Sequence, residues 1–155
     1  MSVSTGIYTA VPVQAAHSQN TRLALLTTLL AAVVLTAFLA WNPQASALAA
    51  QHDGAAMTRL MRFMAGLKAL MAAAAVAAVL WRLGVAASAG WFGAYALGCA
   101  AMAAGPVLIW GLVHVGLGAL LLHGGLLAVI LLLWRDPAVA QLLEGVLTRR
   151  VTAAR

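Results

Sequence analysis

Long uncharged apolar runs, separated by short polar or charged segments, dominate the pattern of this chain. The longest runs from Trp91 to Trp134, 44 residues without Asp, Glu, Lys or Arg, and is interrupted by Gly105-Pro106 and by Gly111. As a single helix it would be about 66 Å long, roughly twice the hydrocarbon thickness of a bilayer. The run therefore predicts a transmembrane hairpin.

Two further apolar runs are long enough to cross a bilayer. The first follows Arg22 and contains 19 uncharged residues, ending at Trp41. A polar loop over residues 51–58 separates it from the second, which has an amphipathic beginning and ends at Arg82, with Gly84 as its C-cap. The sequence thus predicts an all-α, polytopic membrane protein, a small bundle of four transmembrane helices over residues 22–41, 57–82, 91–110 and 113–134.

The tryptophans support these boundaries. Each of the five falls at an end of a segment of about twenty residues: Trp41, Trp81, Trp91, Trp110 and Trp134. Indole rings are amphipathic and settle at the headgroup level of a bilayer. This placement favours a turn after Trp110 over an alternative hairpin centred on Gly105-Pro106.

The two ends of the chain are predicted to lie outside the bundle. Residues 1–21 are small and polar and are predicted to form a flexible tail. In the tail 135–155, Asp136 suits the N-cap of a short amphipathic helix. Its bases, among them Arg149 and Arg150, would be attracted to anionic lipids on the cytoplasmic leaflet, the alternative being a frayed soluble tail.

The distribution of basic residues predicts an orientation. Four spans place six bases on the side of the termini and three on the other: Arg22, Arg82, Arg135, Arg149, Arg150 and Arg155 against Arg59, Arg62 and Lys68. The positive-inside rule then puts both termini in the cytoplasm of a bacterial-type inner membrane. Small-x-small triplets at 45–47 and 47–49 offer an alternative, cleavage of the first helix as a signal peptide.

The composition agrees with a membrane location. Of 155 residues 65% are hydrophobic and 8% charged, and the mean hydropathy is +1.00, whereas about a quarter of a soluble domain is charged. The nine Lys and Arg flank the spans without forming a continuous patch, so they indicate anionic lipids and no nucleic acid. The three acids lie outside the spans, and no catalytic or metal-binding motif is present, so neither an enzyme nor a metal site is predicted.

Small residues recur on the last two predicted helices. On the fourth helix three glycines are seven residues apart, and on the third small residues form two pairs four apart: Gly111, Gly118 and Gly125, and Ala94 with Gly98 and Ala101 with Gly105. Small residues let two helix backbones approach closely in a membrane. We expect tight helix packing along this seam, with His114 on the same seam and facing protein.

Histidine is rare and costly inside a membrane, so His114 and His123 are candidate ligands of haem b or proton-handling groups. Nine residues apart, they lie on opposite faces and about 13.5 Å apart along the axis, so they cannot bind one iron. A second ligand would have to come from another subunit. The structural alternatives are an interfacial His114 and a buried His123 bonded to a neighbouring carbonyl or threonine.

Lys68 is predicted to lie inside the hydrocarbon, where its ammonium either extends towards the headgroups or binds an anionic ligand.

The leading hypothesis is an integral membrane protein without its own catalytic centre. It would act through helix packing as an accessory, assembly or scaffold subunit, as a homo-oligomer or in a larger membrane complex. The alternatives are a cytochrome-b-like anchor using His114 or His123, and a small permease-like protein using Lys68 and His114.

Overall fold

A computed structural model describes residues 10–144, with side chains from residue 18 onwards. These residues form helices and no strand, which confirms the all-α prediction: α1 (Ala10–Leu39), α2 (Pro43–Arg82), α3 (Ala89–Trp110), α4 (Val115–Arg135) and α5 (137–144). Helix α1 includes residues 10–21, so the prediction of a flexible tail is wrong for that part. Residues 1–9 and 145–155, and with them Arg149 and Arg150, lie outside the described residues.

Four of the described helices are long and apolar enough to cross a membrane. These are the four helices predicted as spans, and every tryptophan lies at or beside one of their ends. Trp110 is the last residue of α3, Trp81 and Trp134 are next to last in α2 and α4, Trp91 is the third residue of α3, and Trp41 follows α1.

Helix α3 is the centre of the bundle, and α1, α2 and α4 each pack against it. More than half of the apolar part of α3 is buried, whereas less than a quarter is buried in each of the other three. The core contains Leu25 and Leu29 from α1, Ala72 and Val79 from α2, Tyr95, Cys99 and Met102 from α3, and Leu122 and Val129 from α4. The outer helices thus present most of their apolar side chains outward, as lipid-facing helices do.

The predicted loop over 51–58 and the start of the second helix at residue 57 are wrong, because α2 begins at Pro43. Asn42 caps this helix, its side-chain oxygen accepting a hydrogen bond from the Ala45 N–H at 3.0 Å. Proline is favoured in the first helical turn, because an N–H at that position would have no acceptor within the helix. The polar composition of residues 51–58 therefore marks an exposed part of a helix.

Helix α2 is interrupted at Gly54, whose φ of 81° and ψ of 160° are open to glycine and strained for other residues. The Thr58 hydroxyl donates a hydrogen bond to the Ala50 carbonyl at 3.4 Å. In a straight helix residues eight apart are separated by about 12 Å along the axis. The chain therefore bends sharply at Gly54.

The turn between α3 and α4 lies after Trp110, as the tryptophans predict, and α3 continues through Pro106. Helix α4 begins at Val115, two residues later than expected. Gly111 and His114 therefore belong to the turn and not to the packed seam of α4. Leu112 in this turn has a φ of 64° and a buried side chain.

Candidate functional site

A buried ion pair joins the end of α2 to the residue between α4 and α5. Arg82 and Asp136 have side chains only 3% and 1% exposed. The Arg82 Nε donates to Asp136 Oδ2 at 2.5 Å and Nη2 donates to Oδ1 at 3.3 Å. A guanidinium and a carboxylate joined by two hydrogen bonds form one of the stronger polar contacts in proteins.

Two further donors complete the environment of Asp136. The Tyr95 hydroxyl of α3 donates to Oδ2 at 3.0 Å, and the Ala138 N–H donates to Oδ1 at 3.0 Å. The second bond confirms that Asp136 is an N-cap. Burial raises the pKa of the Asp136 carboxyl, but the hydrogen bonds from Arg82, Ala138 and Tyr95 outweigh it, so the pKa lies below its usual value.

Arg22 of α1 reaches the same end of the bundle, its Nε donating to the Leu80 carbonyl at 3.0 Å. A Cβ on Gly84 would lie 2.5 Å from Nη2 of Arg22, so Gly84 leaves room for this guanidinium. The C-cap of α2 is Leu83, which corrects the expectation for Gly84. We call Arg82, Tyr95 and Asp136 the Arg82 cluster.

The Arg82 cluster suits a structural role. Among the described residues no buried side-chain nitrogen or oxygen lacks a hydrogen-bond partner, so each buried polar atom of the cluster already has a partner within the protein. The pairing of Arg82 with Asp136 is not predicted from the sequence. The one signal in the sequence is that Asp136, two residues after Trp134, is the acid nearest to a predicted span and lies on the side predicted for Arg82.

Glycines bring the backbones of α3 and α4 into contact. A Cβ on Gly105 would lie 2.6 Å from the Gly118 carbonyl oxygen, and one on Gly125 would lie 2.7 Å from that of Gly98. All four glycines are buried. Backbones this close leave no room for a side chain between them, so these residues hold the hairpin together.

An open groove of about 900 Å³ follows the outer side of this contact. Its floor consists of small residues from both helices: Ala94, Gly98, Ala101, Gly124, Gly125 and Ala128. Leucines border the floor, and Trp91 and Arg135 lie towards one end. We call it the α3–α4 groove; Ala94 and Ala101, predicted as packing residues, line it and are half-buried.

The structure does not bring the two candidate histidines together. His114 is exposed at the N-cap of α4 without a side-chain capping bond, so the expectation that it faces protein is wrong. His123 is also exposed, which contradicts a buried position, and its Nδ1 donates to the Ala119 carbonyl of its own helix at 2.7 Å. Within residues 10–144 no group of three His, Cys, Asp or Glu could hold a metal ion.

Lys68 lies half-buried on α2 and makes no hydrogen bond or ion pair with the described residues. It does not line the α3–α4 groove, nor does His114. The two residues of the permease-like hypothesis therefore do not meet in that cavity.

No protein-family model, curated protein or solved structure matches this chain. A function for this chain therefore has to be inferred from the placement of its own residues. The α3–α4 groove is a space that the packing of the monomer leaves unfilled.

Proposed function

We propose that this chain is a multi-pass protein of a bacterial-type inner membrane, with both termini in the cytoplasm, that works through helix packing as an accessory, assembly or scaffold subunit. Its first partner is a second copy of the same chain. The observation that carries the proposal is the α3–α4 groove with its floor of alanine and glycine.

Helix association in a bilayer depends on close packing, because lipid chains are as apolar as leucine side chains. The glycines that face inwards are already used in the contact between α3 and α4. Gly124 is different, since a Cβ built on it meets nothing within 4 Å. At Gly124 the groove thus keeps a small residue that no contact within the monomer requires.

A second copy suits the groove for a geometric reason. Copies of one chain insert with the same orientation, so a two-fold axis along the membrane normal places equal residues at equal depth. Leu97 and Leu120 at the border of the groove are 75% and 69% exposed. In a two-fold dimer the leucines of one copy would enter the small-residue floor of the other.

Two substitutions on α4 test the proposal. Gly124→Leu fills the groove, whereas Gly116→Leu adds the same side chain outside it, and both positions have open space around the new Cβ. We expect Gly124→Leu to weaken dimerisation at least about tenfold, equivalent to roughly 1.4 kcal/mol, and Gly116→Leu to leave it unchanged. The measurement is dimer fraction against protein density in lipid vesicles, by single-molecule photobleaching.

A wild-type chain that stays monomeric at every density would contradict the homo-oligomer. Equal weakening by both substitutions would contradict the groove as the interface, since only one of them changes it. Fluorescent-protein fusions at the C-terminus test the orientation independently, because folding of the reporter requires a cytoplasmic position.

A further inference from the structure

A second cavity, of about 440 Å³, lies at the end of the bundle opposite the Arg82 cluster. It lies between the end of α1, the first part of α2 and the end of α3, and is partly open to the outside. We call it the Arg62 pocket, after the one charged residue in a lining that also includes Trp41, Ser46, Ala47, Val107 and Trp110.

The bend at Gly54 creates this pocket. Ser46 and Ala47 come before the bend and Arg62 comes after it, yet all three line the same cavity. The hydrogen bond from Thr58 to the Ala50 carbonyl ties the two parts of α2 together. The pocket is thus a built feature of the fold.

Arg62 brings a positive charge to the pocket that no acidic side chain neutralises. Its Cζ lies 5.8 Å from the centroid of the Trp110 ring, within the range of a cation–π contact. Among residues 10–144 it has no ion pair and no hydrogen-bond acceptor. The fork of five guanidinium N–H donors, whose geometry matches phosphate, therefore remains available to a ligand.

The rest of the lining is mainly apolar and sits at a defined depth. Because indole rings settle at the level of the lipid headgroups, we expect Trp41 and Trp110 there, with Val107 and the alanines of α1 on the hydrocarbon side. The Ser46 hydroxyl, which bonds to none of the described residues, adds one more donor. A ligand that fits must combine an anionic head with an apolar chain.

We propose that the Arg62 pocket binds the phosphate headgroup of an anionic phospholipid, with part of an acyl chain in the apolar section. The guanidinium of Arg62 holds the phosphate. A zwitterionic lipid fits less well, because its ammonium group would approach Arg62 with no carboxylate in the lining to receive it. The proposal does not depend on the dimer, since it uses neither α4 nor the α3–α4 groove.

The test measures lipids retained by the purified full-length chain in native mass spectrometry, after addition of phosphatidylglycerol or phosphatidylcholine. One basic residue near an anionic lipid surface contributes about 1 kcal/mol, so we expect wild type to prefer phosphatidylglycerol by at least about fivefold. Arg62→Gln should abolish the preference. Arg59→Gln, which removes a charge from the same helix outside the pocket, should retain it.

A second pair of variants separates the cavity from the charge. Ala47→Leu fills the pocket and leaves Arg62 in place, whereas Ala56→Leu adds the same bulk at an exposed position outside it. We expect retention of phosphatidylglycerol to fall only for Ala47→Leu. Equal loss in Arg59→Gln and Arg62→Gln, or no preference in wild type, would overturn the proposal. Displacement of the lipid by inorganic phosphate alone would also overturn it, in favour of a soluble anion.

Discussion

Replacing Asp136 by asparagine should strongly destabilise the fold. Asparagine keeps the size of the side chain and an oxygen for the N-cap, but it removes the negative charge. Arg82 would then remain 3% exposed without a counter-ion. Loss of one partner from a buried ion pair costs about 3–5 kcal/mol, because the other charge stays buried and uncompensated.

The hydrogen bonds that Asp136 accepts predict a loss of stability of similar size. Its carboxylate accepts two bonds from Arg82 and one from Tyr95, and a bond to a charged group contributes about 1.5–3 kcal/mol. Asparagine keeps part of this set, so we expect a loss of about 3 kcal/mol in the free energy of unfolding. Arg82→Met in the same chain should recover much of that loss, since no unpaired charge is then left buried.

The assay is unfolding by SDS in mixed micelles, followed by tryptophan fluorescence, for both single variants and the double variant. Asp53→Asn is the control, because the pair of Asp53 with His52 at 3.2 Å is exposed and should contribute little. A loss in Asp136→Asn no larger than that in Asp53→Asn would contradict a stabilising role of the buried pair. Simple addition of the effects of Arg82→Met and Asp136→Asn would contradict it too, because residues in direct contact should be coupled.

The pH dependence follows from the lowered pKa of Asp136. The usual pKa of this carboxyl is 3.8, and in the folded protein it lies lower. Between the two values the folded state binds fewer protons than the unfolded state, so stability rises with pH there. The contribution is thus complete above about pH 4 and is lost as the pH falls through the folded pKa. In Asp136→Asn this dependence should be absent from the unfolding curves.

Three further predictions concern single residues. Gly125→Ala should destabilise the α3–α4 hairpin by about 1–3 kcal/mol, because its Cβ would meet the backbone of α3. Its control is Gly124→Ala at the neighbouring position, which has open space around the new Cβ and should be neutral in the same SDS titration. Gly54→Ala should cost about 1–3 kcal/mol through its φ of 81° and should reduce lipid retention at the Arg62 pocket. If the haem hypothesis holds, the purified protein has a Soret absorption band that His123→Ala removes; a spectrum without that band, or unchanged by the substitution, contradicts it.

The bundle could be predicted from the sequence because its two main signals are local. Uncharged runs of about twenty residues specify a helix that spans a bilayer, and tryptophans mark the ends. Trp110 located the turn between α3 and α4 even though Pro106 suggested another place for it. The glycine spacing pointed to Gly118 and Gly125 because close backbone approach requires small residues at regular intervals.

What the sequence did not predict depends on contacts between distant residues or on a single backbone angle. Arg82 and Asp136 are 54 positions apart, and nothing in the sequence around either residue shows that the two side chains are buried together. Residues 51–58 have the composition of a loop, yet they continue α2 through a bend that one glycine permits. The glycine spacing predicted that His114 lies on the packed seam of α4. The helix begins one residue after His114, however, so His114 is exposed.

The two ends of the bundle differ in how their charged residues are paired. At one end the Arg82 cluster joins α2, α3 and the start of α5, and each of its buried side-chain nitrogens and oxygens is hydrogen-bonded. At the other end Arg62 keeps its charge beside an unfilled cavity. Arg62 and Arg82 are twenty residues apart on α2, about 30 Å along the helix, so they share no partner and their effects should be independent. Stability is therefore expected to respond to changes at Arg82 and lipid retention to changes at Arg62, which allows the pocket to be altered without unfolding the bundle that forms it.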